Sequence, residues 1–94
     1  MHQYELVFIL QGDLDEATLD TAVEPVQTLI TNAKGEIVKT ERWGKRRMAY
    51  PIRKMNEGYY TFISFHHNPE EIVNLNRSLG YNEQVLRSIV VRVA

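Results

Sequence analysis

The apolar residues of this chain follow two rhythms. From Tyr4 to Leu10 they crowd together among strand formers, and Gln11-Gly12-Asp13 ends the run, which predicts a first strand. From about Glu16 to Ala33 the spacing becomes helical. Leu19, Ala22, Val23, Val26, Leu29, Ile30 and Ala33 share one side, with Asp20 and Glu24 on the other. Asp15 stands where an N-cap belongs and Gly35 where a helix stops. Pro25 lies inside the pattern and, lacking a backbone donor, is expected to kink or loosen the helix. Glu36 to Trp43 alternates weakly, as an edge strand guarded by Lys39 and Arg42 would. Lys54-Met55-Asn56-Glu57-Gly58 reads as a turn, and Tyr59 to His66 as a third strand rich in aromatics. Asn68-Pro69-Glu70-Glu71 combines an N-cap, a proline at the first helical position and two acids in the first turn. Ile72, Leu75 and Leu79 give the second helix its buried side, Gly80 its stop, and Val85 to Val93 a β-branched fourth strand.

The order strand, helix, strand, strand, helix, strand predicts an α+β, ferredoxin-like βαββαβ fold. A four-stranded antiparallel sheet carries both helices on one face, with the first and third strands central. At 94 residues the chain reads as one domain, 1–94.

Two helices cover only one sheet face, and a sheet with its other face in water should alternate cleanly. These strands do not. Tyr4, Leu6, Phe8 and Leu10 oppose Val7 and Ile9; Ile63 and Phe65 oppose Tyr60 and Phe62; Ile89 and Val91 oppose Leu86 and Val90. Val7, Ile9, Tyr60, Phe62, Leu86 and Val90 are therefore assigned to a partly apolar uncovered face, the mark of a protein interface. The plainer reading is that strands are simply rich in β-branched residues.

Charge sharpens the picture. The formal net charge is −1, but Met1 to Lys34 holds six acids against one base and Gly35 to Lys54 two acids against seven bases. A basic island in a near-neutral chain points to a specific surface rather than general adhesion to polyanions. At its centre lies Trp43-Gly44-Lys45-Arg46-Arg47-Met48-Ala49-Tyr50-Pro51-Ile52. Three consecutive cations beside aromatics suit RNA, which offers phosphates and base faces together. Lys45 and Arg47 share one side of an extended chain and Arg46 takes the other. Tyr4, Trp43 and Tyr50 are read chiefly as core aromatics. Arg87 and Arg92, of opposite parity on the last strand, should emerge on opposite faces.

Several chemistries find no support. There is no cysteine, hence no disulfide and no thiolate metal site. His66 and His67 are adjacent, so a strand sends them to opposite sides, and no metal site is expected. No Ser or Thr has a His and an acid at suggestive spacing, so no catalytic residues are assigned. The acidic loop Gln11-Gly12-Asp13 lacks the cationic cradle of an acylphosphatase-type enzyme. Gly58-Tyr59-Tyr60-Thr61-Phe62 departs from the RNA-recognition strand motif, with Glu57 for its cation and Thr61 for an aromatic. No run approaches a membrane span and nothing at the N-terminus reads as a signal peptide, so a soluble, intracellular protein is expected.

Three separated blocks carry a resemblance across essentially the whole chain: the opening Met1-His2-Gln3-Tyr4-Glu5, the segment Trp43 to Ile52, and Asn82-Glu83-Gln84-Val85-Leu86-Arg87-Ser88-Ile89-Val90. In that order they resemble the bacterial small-subunit ribosomal protein S six (S6) family. Met48 stands where Leu is more usual and His2 where Arg is common. The resemblance implies a non-enzymatic role without cofactor, membrane or small-molecule substrate. It implies binding to the central domain of small-subunit rRNA as a heterodimer with small-subunit protein S eighteen (S18), supporting platform assembly in the cytoplasmic, or organellar, ribosome. The candidate RNA contacts are then Lys45, Arg46, Arg47, Arg87, Arg92 and His2. The alternative is a small ferredoxin-like regulatory or ligand-binding module, which no Gly-rich phosphate loop supports.

Overall fold

The computed structural model describes residues 1–93 of the chain. Its elements are β1 (His2–Gln11), α1 (Glu16–Asn32), β2 (Glu36–Ile52), β3 (Met55–His67), α2 (Ile72–Tyr81, entered through a 3-10 turn at Pro69–Glu71) and β4 (Val85–Arg92). They form one antiparallel sheet in the order β2-β3-β1-β4. The expected ferredoxin-like arrangement is the observed one, with β1 and β3 central.

The covered face is built by alternate residues. Tyr4, Leu6 and Phe8 pair with Phe65, Ile63 and Thr61 across β1 and β3. Against this layer pack Ala22, Val23, Val26 and Ile30 of α1 and Leu75 and Leu79 of α2. Each fully buried aliphatic or Phe side chain contributes about 1.5–3 kcal/mol in removal from water, so this layer dominates stability.

The helix ends show which sequence signals acted. The Asp15 carboxylate accepts the Thr18 backbone N–H at 2.7 Å, as an N-cap does. Hydrogen bonding from Thr18, its side chain first and its backbone N–H second, holds the carboxyl below its ordinary value. At the other end the Gly35 N–H reaches the Ile30 carbonyl at 2.9 Å and the Lys34 N–H reaches Thr31 at 3.0 Å, a Schellman closure. The left-handed residue there is Lys34, with φ 65°, rather than Gly35. Gly35 is required for space: a Cβ would lie 2.5 Å from His67 Cδ2 and 2.8 Å from the Ile30 carbonyl oxygen. Pro25 sits exposed within α1, which runs on through it. Gly80 lies inside α2, which ends one residue later. The stop falls to Asn82, whose Oδ1 accepts the Gln84 N–H at 3.0 Å. His67 is fully buried, edge-on to Phe65, with Nδ1 3.2 Å from the Asn68 carbonyl and Nε2 without a partner.

Two expectations about the strands are corrected. First, β2 does not end at Trp43 but continues to Ile52, and Met55 to Gly58 is strand rather than turn. The reversal is made by Arg53 and Lys54, both at positive φ (50° and 66°), without the Asn-Gly or Asp-Gly pair that usually signals it. The glycine that suggested a turn serves packing: a Cβ on Gly58 would lie 2.3 Å from Ile9 Cγ2. Second, Val90 is on the helix-covered face, opposite Leu6. The register of β1 against β4 shifts between Ile9↔Arg87 and Leu10↔Val85. Leu86 is the extra residue of that bulge, and parity reverses across it. Leu86 therefore faces the open side with Ile9, while beyond it Ile89 and Val91, not Val90, share the side of Val7.

Candidate nucleic-acid and protein interface

The β2–β3 hairpin extends the sheet and closes against its open face. Met48 joins Ile9 and Leu86 in a second, smaller apolar cluster, flanked by Ile52, Met55 and Tyr60. Beyond Met48 the hairpin is anchored twice. Arg53 Nη1 donates to the Glu83 carbonyl at 2.8 Å, and the Arg87 guanidinium hydrogen-bonds the Tyr50 hydroxyl while lying 5.4 Å from its ring centre. The basic island is therefore part of a strand arm held on the sheet.

Pleating distributes the cations of this arm. Lys45 lies opposite Tyr59 and Arg47 opposite Glu57, whereas Arg46 lies opposite Gly58. Lys45 is 5.8 Å from the Tyr59 ring centre and shares a surface recess with Asp13 and Glu57. Arg46 folds back over the open face, its Cζ 5.7 Å from the Trp43 ring and its Nε–H donating to the Trp43 carbonyl. Trp43 stacks on Phe62, ring centres 5.7 Å apart and nearly parallel. Its indole N–H reaches the Glu41 carboxylate at 3.3 Å. Lys39, the larger cause, and this indole hold the Glu41 carboxyl below the usual range. Of the three aromatics read as core, only Tyr4 is buried; Trp43 and Tyr50 are 39% and 54% exposed. Trp43 points away from the helices onto Phe62 of the open face, and Tyr50 lies on the arm against Arg87.

His2 and Arg92 do not join this group. They pair with each other, Arg92 Nη2 2.9 Å from His2 Nδ1, at the opposite end of the strands. The seven residue steps of β1 from His2 to Ile9 span about 23 Å at strand rise. Arg87 and Arg92 stand on opposite faces, opposite Ile9 and Tyr4. At the sheet's outer edge Arg42 pairs with Asp20 of α1 and Lys39 with Glu41, so both guarding cations are engaged.

The open face thus presents Val7, Ile9, Tyr60, Phe62 and Leu86, with exposed Ile89 (56%) and Val91 (53%) added by the bulge. Sequence reading missed these two, since a bulge leaves no mark in periodicity. A cleft of about 280 Å³ on the covered side is lined by Glu16, Asp20, Arg42, Tyr59 and Thr61 among others, with neither His nor Cys. Among the described residues no group of His, Cys, Asp or Glu is placed to hold a metal ion. Among the described residues no helix is long and apolar enough to cross a membrane.

Comparison with known proteins fixes the family. The family model described as Ribosomal protein S6 matches residues 3–92. The chain belongs to the ribosomal protein S6 family. It is 39% identical over 92 residues to small ribosomal subunit protein bS6 of Clostridium perfringens, covering 98% of this chain and 97% of that one. It is 42% identical over 91 residues to the Clostridium novyi protein, covering 97% and 96%. The crystal structure of 30S ribosomal protein S6 from Thermotoga maritima superposes with a TM-score of 0.91 at 33% identity, covering 98% of this chain and 87% of that one. The P2 domain of the chemotaxis kinase CheA, at 17% identity and a TM-score of 0.57, shares the fold alone. The family is one of ribosomal proteins of the bacterial small subunit.

Proposed function

We propose that this chain is a structural, non-enzymatic component of the small ribosomal subunit that binds the central domain of its rRNA together with protein S18 and supports platform assembly. The observation that carries this reading is the open sheet face. An apolar centre of Ile9, Met48 and Leu86 under the hairpin arm continues into exposed Ile89 and Val91, which no described element covers. Such a surface suits a protein partner. The arm beside it supplies exposed cations for phosphate. Each partner then adds contacts to the same RNA, so assembly is cooperative with no chemistry involved.

The test is binding of the full chain to a central-domain rRNA fragment, with and without S18, at two salt concentrations. The expected result is tight binding that needs both proteins and weakens with salt, the logarithmic slope growing by about 0.7–0.9 per phosphate neutralised. Failure of the pair to bind at low salt would overturn the reading.

A further inference from the structure

The pleat divides the hairpin cations between two flanks, and the two open-face guanidiniums are built alike. We propose that Arg46 and Arg87 are carboxylate-binding residues of the protein interface, not RNA contacts. They receive acidic side chains of a partner that also places an apolar anchor beside Arg87. The proposal rests on the heterodimer reading and assigns its contacts by chemistry.

Both guanidiniums are held against aromatic rings, Arg46 on Trp43 and Arg87 on Tyr50. Each spends one of its five N–H donors on the arm, on the Trp43 carbonyl and the Tyr50 hydroxyl respectively. Among the described residues neither pairs with a carboxylate. A guanidinium fixed against a ring loses little freedom on binding, is weakly hydrated, and presents a fork matching a planar carboxylate.

Location decides against phosphate. Ile9, Met48, Tyr60 and Arg87 line a recess of about 130 Å³ between the arm and the sheet. Protein interfaces join an apolar centre to a polar rim, with Arg enriched and Lys depleted. An RNA backbone offers no apolar surface to cover Ile89 and Val91, which follow Arg87 on the same face of β4 and are exposed, so a phosphate on these arginines would leave them against water. Lys45 and Arg47, on the other flank, suit phosphate without that cost. The open face is also polarised. Glu5 and Glu36 register opposite Ser64 and His66 at its far end, so the partner's carboxylates are directed toward the arm.

The test separates pairing from RNA binding. S18 affinity is measured without RNA, and RNA affinity with the preformed pair at protein concentrations that keep it saturated. Arg46→Glu and Arg87→Glu are expected to weaken pairing about tenfold or more and to leave RNA affinity of the saturated pair within about threefold. Lys45→Glu and Arg47→Glu are expected to do the reverse. Arg87→Lys keeps the charge but loses the fork, and is expected to weaken pairing by about threefold or more. It also serves should a charge reversal fail to fold, judged by the thermal midpoint. Unchanged pairing with reduced RNA affinity in the Arg46 and Arg87 variants would overturn the proposal and return both residues to the RNA. Failure of the unsubstituted chain to pair with S18 would instead remove the heterodimer reading, and this proposal with it, before any variant is compared.

Discussion

On β1, Leu6, Phe8 and Leu10 are wholly covered, while Val7 between them is half-buried and its β4 neighbour Ile89 is 56% exposed. The strands are the same; only the parity differs. The covered side closes on α1 and α2 and carries the stability of the fold. The open side collects a smaller apolar cluster under the hairpin arm and leaves the rest to water. An antiparallel sheet can keep one face in solvent, and its residues are then usually polar. Here they are not, and the difference separates residues that hold the fold from residues kept for a partner.

Substitution on the covered side should break the fold and spare the surface. Phe8→Ala is expected to cost about 3–5 kcal/mol in urea unfolding, with S18 affinity of the folded fraction unchanged. Gly35→Ala forces a Cβ onto His67 and the Ile30 carbonyl. Because one close atom is backbone, a loss of about 2–3 kcal/mol is expected by the same measurement. Met48→Ala probes the boundary between the faces. It should cost about 2 kcal/mol, at the low end for buried Met, because its cluster is small. It should also speed amide exchange in Met48 to Ile52 more than in β1.

The smallest expected effect concerns neither face. The Asp15 carboxyl is held below its ordinary value of 3.8 by the Thr18 hydrogen bonds. A carboxyl with a lowered folded value contributes stability above the ordinary value and loses it as pH falls through the lowered one. Asp15→Asn keeps a good cap without the charge. The difference in thermal midpoint between the two proteins should therefore be present at pH 6 and shrink as the pH is taken below 3.8. A difference constant with pH would mean the capping charge contributes nothing.

The periodicity of α1, the Asp15 cap and the alternation of Tyr4 to Leu10 against Val7 and Ile9 were legible because each depends on neighbours in sequence. The ferredoxin-like order followed from them. The length of β2 was not legible. Arg53 and Lys54 adopt left-handed backbone without the residues that usually report it, and Gly58 imitates a turn while serving to admit Ile9. Nor was the side of Val90 legible, since one bulge at Leu86, set by pairing with β1, reverses parity beyond it. The basic island was visible as composition. The split of Lys45 and Arg47 from Arg46 followed from strand pleating, but that Arg87 joins the Arg46 side appears only when the hairpin is closed on the sheet. The separation of His2 and Arg92 from that island likewise depends on strand direction.

The central claim, that the open face serves a partner rather than the fold, is tested most directly by Ile89→Glu, measured for unfolding free energy and for S18 affinity without RNA. Ile89 is exposed and lies outside both clusters, so stability should stay within about 0.5 kcal/mol while affinity falls by about tenfold or more. Unchanged affinity, or a loss of stability as large as that of Phe8→Ala, would contradict the account.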